Sequence, residues 1–141
     1  MKNIEYEYRN LPIPGGGYVT GFLFDQDREK VLYIRTDIGG CYRFSYENRH
    51  WDSLSESVNM FDLSETYPIA IATDLQQDET LYVISGINQE GTEGTFSISH
   101  DGGKTYTREM IPCFVHGNLN GRGTGYRLVQ NPKDKTTLYF A

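Results

Sequence analysis

Three segments of this chain share one pattern: an apolar run, a polar turn, and a second run built around Leu-Tyr. Runs 19–24, 69–73 and 126–129 lead into polar turns at 25–29, 76–79 and 131–135. Each turn is followed by a Leu-Tyr pair: Leu32-Tyr33, Leu81-Tyr82 and Leu138-Tyr139. A strand–turn–strand unit recurring roughly every 50 residues is the signature of a radial repeat of small sheets. The first two units continue into a third run, at 40–46 and 94–99, and then reach an aromatic, Trp51 or Tyr106, that opens a fourth. The expected fold is therefore all-β, with four-stranded antiparallel sheets as the blades of a β-propeller. The units fall at 18–55 and 67–112, with the start of a third at 125–141, so residues 1–141 make a partial propeller of two blades and part of another. Fifteen Gly and eleven Tyr suit strands and turns, and no window of a dozen residues carries sustained 3.6-residue apolar periodicity.

The second unit contains Ser99-His100-Asp101-Gly102-Gly103-Lys104-Thr105-Tyr106, which fits the Asp-box pattern S-x-D-x-G-x-T-aromatic at every fixed position. Asp and hydroxyl side chains satisfy hairpin backbone groups, Gly103 takes unusual backbone angles, and Tyr106 packs into the blade. Asp101 reads as a turn-former, and the motif informs on fold and not on chemistry. Trp51 occupies the corresponding place in the first unit and reads as core.

Chemistry is expected at Asp37. The run 31–35 ends in Arg35-Thr36-Asp37-Ile38-Gly39-Gly40, which puts one carboxylate at a strand end beside a diglycine turn. Sheet rims are where such proteins place functional groups. Two readings of Asp37 stand at this point, a catalytic carboxylate and a cap for the Gly39-Gly40 turn. Tyr18 and Tyr42 flank it as candidate aromatic binding surfaces. Asn120 and Arg122, in the glycine-rich stretch 117–125, are candidate hydrogen-bonding residues, with an ion pair holding the loop as the other reading of Arg122.

The net charge of −6 and pI near 5.0 argue against nucleic acid and anionic membrane surfaces as partners, both of which need clustered Lys and Arg. No apolar run is long enough to span a bilayer. The segment 1–8 lacks the apolar stretch of a signal peptide, which leaves location open. Cys41 and Cys113 lack zinc-site spacing and read as free thiols. His50, His100 and His116 lie in separate turns. No metal and no cofactor is expected.

The order of these motifs resembles the N-terminal part of the family 74 glycoside hydrolases, the xyloglucanases and related β-1,4-glucanases. Gly15-Gly16-Gly17-Tyr18-Val19-Thr20-Gly21 is similar to the family's glycine-rich opening. The stretch from Tyr33 to Arg43 follows its Y-x-R-T-D-x-G-G-x-Y-R, and the stretch from Gly117 to Leu128 its G-N-x-D-G-R-G-x-G-E-R-L. The resemblance implies two seven-bladed propellers facing each other across a cleft for a xyloglucan chain, with Tyr18 and Tyr42 as candidates to stack on its sugar rings and Asn120 and Arg122 to hydrogen-bond its hydroxyls. It also implies an inverting mechanism in which Asp37 is the base and the general acid lies in the second propeller. Such a pair of carboxyl groups sits roughly 6.5–9.5 Å apart to admit a water. Arg35 or Arg43 would keep Asp37 ionised. The chain departs from the pattern at Asn120 and Tyr126, where the family has Asp and Glu, which bears on substrate preference.

A seven-bladed ring needs roughly 300 residues or more, at about 40–50 per blade. The chain accordingly reads as a fragment of a polysaccharide hydrolase, inactive alone, whose partner is the downstream propeller, or else as a partial ring closing by self-association through open blade edges. The competing function is a non-catalytic Asp-box propeller that binds glycans or proteins. A sialidase ranks behind both, because its arginine triad is not recognisable.

Overall fold

A computed structural model describes residues 5–10, 12–25, 31–56, 63–87, 93–120 and 123–141. It is all-β, with ten strands and one 3-10 turn among the described residues. Strands β1 (Val19–Phe24), β2 (Val31–Thr36), β3 (Cys41–Ser45) and β4 (His50–Ser53) form one antiparallel meander. After the 3-10 turn Leu63–Thr66 come β5 (Pro68–Thr73), β6 (Leu81–Ser85), β7 (Gly94–Ser99) and β8 (Thr107–Ile111), a second meander of the same order. Strands β9 (Leu128–Gln130) and β10 (Leu138–Phe140) pair as a third sheet. β5 lies between β1 and β9 and touches both, so the first strands of the three sheets line a common inner side, as the blades of a propeller do.

The Leu-Tyr repeat has a physical basis in the two-residue alternation of strands. Tyr33 is fully buried and joins Cys41, Leu54, Ile71, Leu81 and Val83 in the core between the first and second sheets. Leu32, one residue earlier, faces the other side with Ile34, Tyr42, Phe44 and Trp51. In the second sheet Leu81 points back toward the first, while Tyr82 points forward with Phe96 to the cluster shared with Leu128 and Leu138. Leu thus fills the interface with the preceding sheet and Tyr the interface with the next. Full burial of a side chain such as Leu81 contributes about 1.5–3 kcal/mol.

Trp51 stands opposite Phe44, which stands opposite Leu32. In the second sheet Leu81 stands opposite Ser99, and Thr107 opposite Ile98 puts Tyr106 on the corresponding backward face. Trp51, 6% exposed, is core. Cys41 is buried and Cys113 exposed, both as free thiols, and burial pushes the Cys41 thiol up to about 12, against the opposing pull of Arg35.

The third-to-fourth-strand turn of the second sheet is organised by Asp101. Its Oδ1 accepts from Ser99 Oγ at 2.8 Å, Lys104 N at 3.0 Å and Thr105 N at 2.9 Å, and its Oδ2 from Thr105 Oγ1 at 2.6 Å. Gly103, at φ 90°, donates its N–H to Ser99 Oγ. These donors, the Thr105 hydroxyl first, hold the Asp101 carboxyl well below the usual carboxylate range. A pKa lowered on folding adds stability that is complete above the unfolded value of about 3.9 and is lost as pH falls through the folded value. Asp101→Asn is therefore expected to flatten the fall of melting temperature below about pH 4. Thermal melts across the acid range measure it.

Candidate functional site

The chain reverses between β2 and β3 at Thr36–Gly40, and this turn holds Asp37. Its closing bonds come from Thr36, whose N–H and hydroxyl both donate to Gly40 O at 3.0 Å and whose Oγ1 accepts from Gly39 N at 2.8 Å. Gly40 has φ 86°, a conformation suited to glycine. Gly39 is required for a different reason: a Cβ there would lie 2.0 Å from Gly16 O. The second glycine provides the backbone angle, and the first admits the glycine-rich segment against the turn.

Because Thr36 closes the turn, the Asp37 side chain is directed elsewhere. Its Oδ1 accepts from Tyr18 N at 2.7 Å, and its own N–H donates to Tyr18 O at 3.0 Å. The carboxylate thus grips the entry to β1 instead of capping Gly39-Gly40. Gly17, at φ 100°, passes so near that a Cβ would meet Asp37 Oδ1 at 2.9 Å. Asp37 is 4% exposed, so it stands at the strand end as the sequence predicts but beneath the segment 15–18, not projecting from an open rim.

The flanking tyrosines differ. Tyr18 is 62% exposed. Tyr42 is 5% exposed, packs with Leu32, Ile34, Phe44 and Trp51, and donates its hydroxyl to Gly39 O at 2.8 Å. A Cβ on Gly15 would strike that hydroxyl at 1.8 Å. A ring enclosed in this way presents no face to a pyranose. The expectation that Tyr42 stacks on sugar gives way to a support beneath the turn and the glycine segment.

The two arginines expected to flank the carboxylate have other partners. Arg43 pairs with Asp52 at 3.2 Å and with Glu79 at 3.1 Å, linking the first sheet to the β5–β6 turn of the second. Arg35, 1% exposed, donates to Thr20 Oγ1 at 2.6 Å, Gly123 O at 2.6 Å and Gly125 O at 2.9 Å.

Antiparallel order puts β2–β3 turns and β3–β4 turns at opposite ends of a sheet. Asp37 and Asp101 therefore lie at opposite ends of the assembly. Gly40 N donates to Thr66 O, just before β5, and Gly125 N to Thr20 O, at the start of β1. The Asp37 turn, the segment 15–18 and residues 116–120 and 123–126 consequently collect at one end of the sheets. Asn120 is exposed there and Tyr126 is 66% exposed. Arg122 lies outside the described residues. The ring of His116 meets Tyr67 edge-on at 5.7 Å, and its Nδ1 accepts from Asn118 N. Among the described residues no three His, Cys, Asp or Glu side chains gather as a metal site.

Fold and site define a blade array with one buried carboxylate under a glycine-rich rim. No family model matches the chain. A xyloglucanase from Paenibacillus sp is 34% identical over 139 residues, which cover 96% of this chain and 14% of that protein. An oligoxyloglucan-reducing end-specific xyloglucanase from Emericella nidulans is 32% identical over 138 residues, 98% of this chain and 17% of its own. The crystal structure of the GH74 xyloglucanase from Xanthomonas campestris superposes with a TM-score of 0.80 at 32% identity, covering 95% of this chain and 19% of that one. A GH74 enzyme from Niastella koreensis gives 0.79 at 30% identity, with 93% and 19% covered. The chain is a homologue of the family 74 xyloglucanases over nearly all of its own length. It spans 14–17% of the length of the curated relatives it matches.

Proposed function

We propose that the chain is the N-terminal propeller portion of a glycoside hydrolase that cleaves xyloglucan with inversion, and that Asp37 is its general base. Blade units 18–55 and 67–112 and the partial unit from 125 form one side of the site. The general acid is supplied by chain outside these residues, so the 141-residue chain alone is inactive. The observation that carries the proposal is the orientation of Asp37: Thr36 satisfies the turn, and the carboxylate turns under the glycine rim at the end of the sheets where the exposed loops gather. The turn is closed by Thr36, and the Asp37 carboxylate is held by Tyr18 N beneath the rim.

In the reaction the Asp37 carboxylate takes a proton from water as that water attacks the anomeric carbon, while the distant acid protonates the departing glycosidic oxygen. Tyr18, Asn120 and Arg122 contact the sugar chain, and Tyr42 holds the turn from below. Buried backbone bonds to Tyr18 fix the carboxylate in one orientation, which favours a single line of attack.

The test is a chimera in which residues 1–141 replace the homologous segment of the Paenibacillus xyloglucanase. The proposal expects release of reducing ends from xyloglucan, with the α-anomer appearing first in proton NMR. A folded chimera that binds xyloglucan without hydrolysing it would favour a glycan-binding module instead.

A further inference from the structure

Among the described residues Arg35 is the largest side chain to be fully buried, and it stands two residues before Asp37. Its guanidinium crosses β1 at Gly21, where a Cβ would lie 2.9 Å from Nε. There Nη1 donates to Thr20 Oγ1 and Nη2 to the carbonyls of Gly123 and Gly125, nearly ninety residues away in sequence. The pairing of β1 with β2 shifts register between Val19 and Gly21. At that irregularity Thr20 O accepts from Gly125 N at 3.2 Å, and Thr20 Oγ1 donates to Arg35 O at 3.3 Å. Residues 18–20 are therefore gripped twice, by Asp37 at Tyr18 and by the 123–125 loop at Thr20, and Arg35 ties both grips to β2.

We propose that Arg35 is a positioning residue that locks Gly123 and Gly125, the end of the glycine-rich stretch, to the strand carrying Asp37, setting the neighbouring sugar contacts in register with the base. The inference rests on the xyloglucan reading above. A planar fork suits this task, because one guanidinium nitrogen serves two convergent carbonyls while another reaches the Thr20 hydroxyl. Lysine keeps the charge and loses the fork. Gly123 at φ 47° and Gly125 at φ 90° hold the left-handed backbone conformation that glycine tolerates.

The experiment compares the chimeric enzyme carrying residues 1–141 with its Arg35→Lys and milder Thr20→Val variants, reading amide hydrogen exchange residue by residue and affinity for xyloglucan oligosaccharides. The expected result is a rise of about tenfold or more in exchange at Gly125, unchanged protection at Leu81 and Val83, and about tenfold weaker oligosaccharide binding. Thr20→Val should shift both readouts in the same direction by less. If the unsubstituted chimera binds and both variants bind equally well, or if exchange rises uniformly across the sheets, the positioning role is overturned. If the unsubstituted chimera binds no xyloglucan oligosaccharide, the underlying functional reading fails and takes the positioning role with it.

Discussion

Asp37→Asn in the chimeric enzyme is expected to lower kcat on xyloglucan by about 10²–10⁴-fold, the range typical of removing a general base, with KM little changed. The amide keeps an oxygen that can still accept from Tyr18 N, the bond that measures 2.7 Å with the carboxylate. Turn and rim should therefore persist, and the melting temperature should move little. What disappears is the capacity to take a proton from water. A loss in kcat at constant KM and constant stability separates this from a merely structural role for the carboxylate. Asp37→Asn in the isolated 141-residue chain should have no catalytic effect, since the account places the acid outside it.

The second large effect is expected at Gly39→Ala. The new Cβ would lie 2.0 Å from Gly16 O and 2.9 Å from Thr36 Oγ1, so backbone and turn cap are both displaced. Overpacking of this kind costs about 1–3 kcal/mol. The relief available is for the segment 15–18 to lift from the turn, which strips Asp37 of its Tyr18 partners. Lower stability should therefore come with lower turnover in the chimera. Gly16→Ala is the matched control, because nothing lies within 4 Å of a Cβ there. Denaturant unfolding and initial rates on the three proteins measure both effects.

Much of the fold is legible in the sequence because its signals are local. Leu-Tyr can be read because a sheet packed between two others buries both faces, and alternation sends one residue backward and the next forward, as Leu81 and Tyr82 do. The Ser99–Tyr106 turn can be read for the same reason, with Asp101 bonded only within its own hairpin turn. The site is less legible because its contacts are not local. Nothing in Thr36-Asp37 says which of two capping side chains closes the turn, and the answer decides what the other does. Tyr42 looks equivalent to Tyr18 in sequence, yet its place opposite Ile34 commits it to the core. Gly39 reads as a source of backbone freedom, whereas its role is to let Gly16 approach. The Arg35 tie to Gly123 and Gly125 spans 88 and 90 residues and has no local signature.

Activation of water by Asp37 is tested most directly with azide, which attacks carbon without giving up a proton. The measurement is the turnover of the Asp37→Ala chimera on xyloglucan oligosaccharides with and without azide, alongside product analysis. The expected result is a nearly inactive variant that azide partly restores, with an α-glycosyl azide as product. Hydrolysis by Asp37→Ala within twofold of the unsubstituted chimera would contradict it.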